Sequence, residues 1–145
     1  MVKVFIPGLL GLMLTANAGF AQKLKSSEVP SAVKTALAQK YPAAKDVAWE
    51  NEKGNYEAAW GGKSKEDNEV LFTPEGNLVE TVVAIPVTSL PAGVSAYVKK
   101  TYPGAKIKEA GKVTDASGKI SYEAEVNKKD LIFDESGNFI KAEED

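Results

Sequence analysis

Few side chains in this 145-residue sequence could carry out covalent or acid–base chemistry. The sequence contains no Cys and no His, so it has no thiol nucleophile, disulfide or thiolate metal ligand, and it lacks the commonest general base. All 18 basic residues are Lys, so the planar guanidinium group that reads phosphate and guanine bidentately is absent as well. These absences argue against most enzyme classes and against a nucleic-acid partner.

Two short strings have the spacing of catalytic or phosphate-binding motifs. Ser31 and Lys34 form the S-x-x-K arrangement of penicillin-binding enzymes, but the S-D-N and K-T-G strings that accompany it there are missing. The string "GGKS" at residues 61–64 ends like a phosphate loop, but Glu57 stands where the first Gly is needed. We therefore interpret the first string as a helix surface and the second as a hairpin loop, and we predict no catalytic residue and no cofactor.

The remaining chemical candidates are carboxylates. The string "DESGN" at residues 134–138 resembles part of a calcium loop, but its oxygen spacing is incomplete, and turn chemistry explains it without a metal. The pairs Glu50/Glu52 and Glu123/Glu125 alternate along predicted strands, which favours a solvent-exposed face. Two carboxylates on one strand face could do acid–base work, but no pocket or partner group accompanies them. We therefore predict that the protein is not an enzyme.

The elements that would position a site occur twice in the chain. Residues 29–45, "VPSAVKTALAQKYPAAK", align with residues 90–106, "LPAGVSAYVKKTYPGAK", at an offset of 61. In each segment apolar residues recur every four positions between an early Pro and a closing Tyr-Pro pair, which predicts a helix that ends before the second Pro. Gly93 stands where the first segment has Ala32. From helix propensity alone, we expect this Gly to make the second helix less stable by about 1 kcal/mol.

After each helix the hydrophobic period changes from four residues to two, which is typical of strands. The hairpins "VLFTPEGNLVET" at residues 70–81 and "LIFDESGNFIKA" at residues 131–142 share a predicted turn closed by a left-handed Gly. We predict an α+β fold of two tandem units, each one helix plus a four-stranded antiparallel meander, joined into one continuous sheet with both helices on one face. In each unit three alternating residues are expected to face a helix: Tyr56, Ala58 and Trp60, and then Tyr122, Ala124 and Val126.

The first 21 residues have the composition of a secretory signal peptide. One basic residue is followed by an apolar run and then by small residues, and the run is too short to span a bilayer comfortably. We predict cleavage after Ala21, with Ala18 as the alternative. The prediction places the protein in the periplasm or outside the cell, without membrane anchoring after cleavage, and assigns residues 22–86 and 87–145 to the two units.

Several strings taken together resemble those of a known family. These are the helix starts "VP" and "LP", the helix exit "YPGAK", the strand "YEA", the hairpin "IFDESGN" and the bridge "AIPVTSLP". In this order and double occurrence, across residues 29–142, the chain resembles the PepSY-like group, small secreted proteins of Bacteroidetes-type bacteria that are also described as β-lactamase-inhibitor-like. The resemblance implies the tandem helix-plus-four-strand fold and no catalytic residue set.

The candidate binding residues are apolar. Leu71 and Ile132 alternate against residues assigned to the core, so we expect them to point away from the helices; the face occupied by Trp49 stays open. If helices cover only one face, contiguous apolar surface is left for a binding partner, unless a helix or a dimer partner covers it. We therefore predict a non-catalytic binding module for a protein partner, such as an inhibitor of an exported hydrolase, or alternatively a small-ligand carrier or envelope sensor.

Overall fold

The computed structural model describes residues 21–144. The predicted signal peptide, apart from Ala21, lies outside these residues. Two helices are present among them, α1 (Ser31–Lys40) and α2 (Ala92–Thr101), and neither is long and apolar enough to cross a membrane. The strands are β1 (Gln22–Leu24), β2 (Ala48–Glu52), β3 (Asn55–Trp60), β4 (Asn68–Phe72), β5 (Leu78–Ala84), β6 (Ala110–Asp115), β7 (Ile120–Val126), β8 (Lys129–Asp134) and β9 (Phe139–Glu144).

The strands form one antiparallel sheet in chain order, from β1 to β9. This confirms the predicted α+β class and the predicted order of a helix followed by a meander in each repeat. The prediction of four strands per repeat missed β1, which pairs with β2. This strand has only three residues, too few to show the alternation from which strands are recognised.

The chain divides into two compact units. Among the described residues the first unit comprises residues 21–81 and the second unit residues 82–144. Each has its own hydrophobic core, in which one helix packs on its strands. The first core consists of Val29, Val33, Leu37, Trp49, Ala58, Val70 and Phe72. The second core consists of Leu90, Val94, Val98, Ala110, Ala124, Val126, Leu131 and Phe133.

Both helices begin and end where the Pro residues predict. Pro30 and Pro91 each precede the first helical residue, with φ of −54°. Tyr41 and Tyr102 leave helical geometry, with φ of −132° and −126°, because a following Pro disfavours the helical conformation. In each unit the helix then presents two Val or Leu side chains, one turn apart, to the core.

The hairpin turn of each unit lies against the start of its helix. Gly76 and Gly137 have φ of 85° and 84°, as predicted for left-handed turn residues. A Cβ atom added to Gly93 would lie 2.6 Å from the carbonyl oxygen of Gly137, and one added to Gly76 would lie 2.7 Å from that of Ala32. Each close approach of turn and helix therefore depends on a Gly.

Candidate functional site

Strand register determines which face each candidate occupies. In the first unit Trp49 is paired with Ala58, and Ala58 with Val70, so all three share the helix side. Leu71 is paired with Glu57 and points to the opposite face. Trp49 is 7% exposed and belongs to the first core. The structure therefore does not bring Trp49 and Leu71 together on one face.

The second unit repeats this arrangement around Ile132. Its neighbours across the sheet are Glu123 on β7 and Lys141 on β9, so Ile132 points away from α2, as the alternation predicts. Within each unit we call the side of the sheet opposite the helix the carboxylate face. In the first unit it carries Glu50, Glu52, Glu57, Glu69, Leu71 and Glu80; in the second it carries Glu123, Glu125, Asp130, Ile132 and Glu143.

The two aliphatic residues on the carboxylate faces are less accessible than the sequence suggested. Leu71 is 2% exposed and Ile132 is 5% exposed, whereas we expected part of this apolar surface to be open. We attribute the difference to the long side chains on adjacent strands, because the methylene groups of Glu and Lys can cover an apolar neighbour. Glu57 lies beside Leu71, and Glu123 and Lys141 flank Ile132.

Carboxylates make up all of the buried polar side chains among the described residues. They are Glu52, Glu69, Glu80, Glu123, Glu125 and Asp130, each between 2% and 7% exposed. The prediction that Glu52, Glu123 and Glu125 are exposed to solvent is therefore wrong. The alternation nevertheless identified correctly the side of the sheet on which they lie. Alternation reports the side of a strand to which a residue points, whereas burial depends on what the neighbouring strands place around it.

Charge is concentrated around Glu57 in the first unit. Glu57 lies on β3 and pairs directly with Glu50 on β2. The pKa of Glu57 is raised to about 8, mainly by desolvation on burial and in addition by the charges of Glu52, Glu50 and Glu80. At neutral pH this carboxyl group therefore holds a proton for much of the time. Lys23 on β1 pairs with Glu50 at the edge of this cluster.

Lysines accompany the carboxylates of the second unit. Lys108 Nζ lies 3.4 Å from Glu125 Oε1, and Lys141 Nζ lies 2.9 Å from Glu143 Oε1. Asp130 is paired directly with Glu125 across β7 and β8, which would be destabilising for two like charges without nearby cations. The carboxylate face of this unit thus combines buried acids with partly exposed ammonium groups.

The "DESGN" string functions as a turn. Asp134 Oδ1 accepts hydrogen bonds from the backbone N–H groups of Ser136 and Asn138, both at 2.9 Å. These bonds lower the pKa of Asp134, with the Asn138 side chain making the largest contribution. Between residues 21 and 144 the structure shows no group of three or more acidic side chains arranged to hold a metal ion.

A cleft beside α1 was not anticipated from the sequence. It has a volume of about 440 Å³. Tyr41 lines it and packs against Trp60, with ring centroids 5.3 Å apart, and burial raises the pKa of the Tyr41 phenol. Lys34 Nζ, part of the S-x-x-K string, donates a hydrogen bond to the carbonyl oxygen of Ser26 at 3.2 Å. The cleft is lined by Ser26, Lys34, Leu37, Ala38, Tyr41, Pro42, Ala44, Val47 and Trp49.

One sequence signal could have indicated this cleft. At an offset of 61, Ser26 and Lys34 correspond to Val87 and Ser95, so the two repeats differ in polarity on one side of the helix. In the second unit Val87 packs against the core, whereas Ser26 is exposed. A residue that differs in polarity from its counterpart in the other repeat is not required for packing, and this difference could have drawn attention to Ser26 and Lys34.

Comparison with known protein families gives one match that covers most of the chain. The family is described as "Putative beta-lactamase-inhibitor-like, PepSY-like", and it matches twice, over residues 19–79 and 62–141. The resemblance seen in the sequence is thus confirmed. None of the curated proteins matches the chain.

Solved structures from Bacteroides species share the fold. A structure from Bacteroides eggerthii, described as a periplasmic protein, is 21% identical, with a TM-score of 0.68 over 79% of this chain and 88% of that one. A DUF2874 family protein from Bacteroides uniformis is 22% identical, with a TM-score of 0.66 and the same coverage. A BLIP-like protein from Bacteroides fragilis is 23% identical, with a TM-score of 0.59 over 79% of this chain and 85% of that one. At these identities the likeness concerns the fold.

Proposed function

The chain belongs to the PepSY-like family, and on this basis we propose that it is a non-catalytic periplasmic module that binds a protein partner through its carboxylate face. The leader-like residues 1–21 support the compartment, as does the description of the Bacteroides eggerthii structure as periplasmic. The description of the family as β-lactamase-inhibitor-like supports protein recognition in general.

The observation that carries this proposal is the same in both units. An aliphatic residue, Leu71 or Ile132, lies among carboxylates on the face opposite the helix. Carboxylates crowded on one face repel each other, and a cation brought in by a partner offsets this repulsion. Complementary charge of this kind increases the association rate and the selectivity of binding. We therefore propose that the partner presents Lys or Arg side chains to the carboxylates of this face.

The proposal is tested with variants that remove charge and preserve shape. At about pH 9, above the pKa of about 8 at which Glu57 releases its proton, Glu50→Gln combined with Glu57→Gln should weaken binding of a partner isolated from the envelope at least about tenfold at low salt, and less as salt screens the charges. Glu109→Gln combined with Glu135→Gln removes the same charge from exposed positions and should leave affinity within about twofold. Equal losses in the two double variants, measured by titration calorimetry with the purified partner, would refute the role of this face.

A more specific proposal is that the protein inhibits an exported hydrolase. Purified protein in excess should slow hydrolysis of a chromogenic cephalosporin by a β-lactamase, and the double Gln variant on the carboxylate face should restore the rate. An unchanged rate would show that this β-lactamase is not the target. The more general proposal, that the carboxylate face binds a protein partner, is tested separately by the partner titration.

The alternative function is that of a small-ligand carrier, and the cleft beside α1 favours it. A volume of about 440 Å³ falls within the range of small-molecule sites. Native mass spectrometry of protein purified from the periplasm without denaturation distinguishes the two functions. A bound small mass in the folded protein supports a carrier, whereas the mass of the bare chain from several preparations contradicts it.

A further inference from the structure

The cleft of the first unit combines apolar walls with one cationic group. Leu37, Val47 and Trp49 line it together with Tyr41. Lys34 supplies the only basic side chain among its lining residues. An ammonium group has three hydrogen-bond donors, and one of those of Lys34 is directed to the carbonyl oxygen of Ser26, so two donors stay available to a ligand.

The second unit provides an internal comparison for this cleft. Lys34 corresponds to Ser95, and Ser26 to Val87, at the repeat offset of 61. Val87 packs against the second core, whereas Ser26 lies exposed at the cleft. The fold therefore does not require a Lys at this helix position or a polar residue before the helix, because the second unit forms the same helix and meander without them.

From this geometry we propose that the cleft binds a small monocarboxylate with an apolar body, with the carboxylate at Lys34 and the body against Trp49 and Tyr41. A free aromatic or aliphatic acid has this chemistry, and so does the C-terminal residue of a peptide. The ammonium group and the ligand carboxylate form a charge-assisted hydrogen bond. The phenol of Tyr41, whose pKa burial raises above its ordinary value of 10.0, is protonated at neutral pH and can donate a hydrogen bond to the anion.

This inference names the ligand class of the alternative, carrier function, and it does not depend on recognition by the carboxylate face. Trp49 lies on the helix side of β2, and Glu50 and Glu57 lie on the other side. Binding in the cleft should therefore persist in the Glu50→Gln/Glu57→Gln variant, whatever that variant does to a protein partner. Loss of one function leaves the other to be measured independently.

The test titrates the protein as purified from the periplasm with sodium 3-phenylpropanoate, and with 3-phenylpropanamide as the neutral counterpart. Two-dimensional NMR follows the indole N–H signals of Trp49 and Trp60. We expect the acid to shift the Trp49 signal in a saturable way, and the amide to bind at least about tenfold more weakly because it cannot form the charge-assisted bond. The tripeptide Ala-Ala-Phe and its C-terminal amide form the second arm, and tighter binding of the tripeptide than of the free acid would assign the site to peptide C-termini.

Two variants in the cleft and one control variant on the same helix identify the groups that bind the acid. Lys34→Ser copies the second unit and should weaken the acid about tenfold, whereas Lys40→Ser, on the same helix but outside the cleft, should leave its affinity unchanged. Ser26→Val copies Val87, narrows the cleft without burying a polar group, and should also reduce binding. Thermal unfolding of each variant shows that it is folded. The proposal is wrong if the acid does not bind, if acid and amide bind equally, or if Lys34→Ser binds as tightly as Lys40→Ser.

Discussion

Glu57 should make the stability of this protein fall as pH rises from 4.5 to about 8. In the folded protein burial raises the pKa of its carboxyl group from 4.5 to about 8, with Glu52, Glu50 and Glu80 adding to the shift. In the unfolded chain the pKa returns to the ordinary value. Between these two pH values the folded state binds more protons than the unfolded state, so the free energy of unfolding falls as pH rises. The contribution is complete below pH 4.5 and is lost as pH rises through about 8.

The magnitude follows from the same two pKa values. At about 1.4 kcal/mol per pH unit, the interval from 4.5 to about 8 sets a ceiling of about 5 kcal/mol. Only part of this ceiling belongs to Glu57 alone, because interacting groups share the free energy of a coupled titration. We therefore expect Glu57→Gln to be more stable than the unmodified protein by about 1 to 3 kcal/mol at pH 9, and to differ little from it at pH 5.

The assay is urea unfolding at pH 5, 7 and 9, followed by tryptophan fluorescence and far-ultraviolet circular dichroism. The unmodified protein should lose stability from pH 5 to pH 9, and the Glu57→Gln variant should have the flatter profile. Glu109→Gln is the matched control at an exposed position and should parallel the unmodified protein. The reasoning is refuted if stability rises with pH over this range, or if the Glu57 and Glu109 variants have the same profile.

Three further outcomes follow from contacts in the two units. Gly93→Ala should lower the free energy of unfolding by about 1 to 3 kcal/mol, because the new Cβ would lie 2.6 Å from the carbonyl oxygen of the turn opposite; a gain in urea stability would contradict this. Leu71→Ser and Ile132→Ser, at positions 2% and 5% exposed, should each cost about 2 kcal/mol or more, and a cost near zero would show that these positions are open. Asp134→Asn should destabilise the protein at pH 7, where the pKa-lowering turn bonds operate, and the difference should shrink as pH falls below 3.8 toward the lower pKa of the folded state; a pH-independent difference would exclude the linkage.

Features that depend on neighbours in the chain were predictable. Both helices end at a Tyr-Pro pair, because Pro restricts the residue before it whatever surrounds the pair. The hairpin turns at Gly76 and Gly137 adopt the predicted left-handed conformation, because Gly has no Cβ atom to oppose it. The assignment of Leu71 to the face opposite the helix was also correct, since alternation along a strand is a local property.

Features that depend on contact between distant segments were not predictable. Trp49 could have faced either way from its own strand, and its side became known only from its pairing with Ala58. β1 is too short to recognise by its pattern, and pairing with β2 defines it. The cleft depends on what a helix, a loop and a strand leave unfilled, which no segment determines alone.

By itself, the sequence determined the repeat, the positions of both helices and the alternation of faces along the strands it predicted, because spacing and local backbone sterics decide these. Only the tertiary structure decided which side chains are buried and how burial changes the pKa of a carboxyl group. Glu57 shares its face with Leu71, but its pKa rises to about 8 because the fold buries its carboxyl group, with the charges of Glu52, Glu50 and Glu80 contributing to the rise. In the same way, Gly93 has the poorer helix propensity, yet the turn packed against it leaves no space for a Cβ atom. Desolvation and steric contact act through space, so they depend on segments that are far apart in the chain and adjacent in the fold.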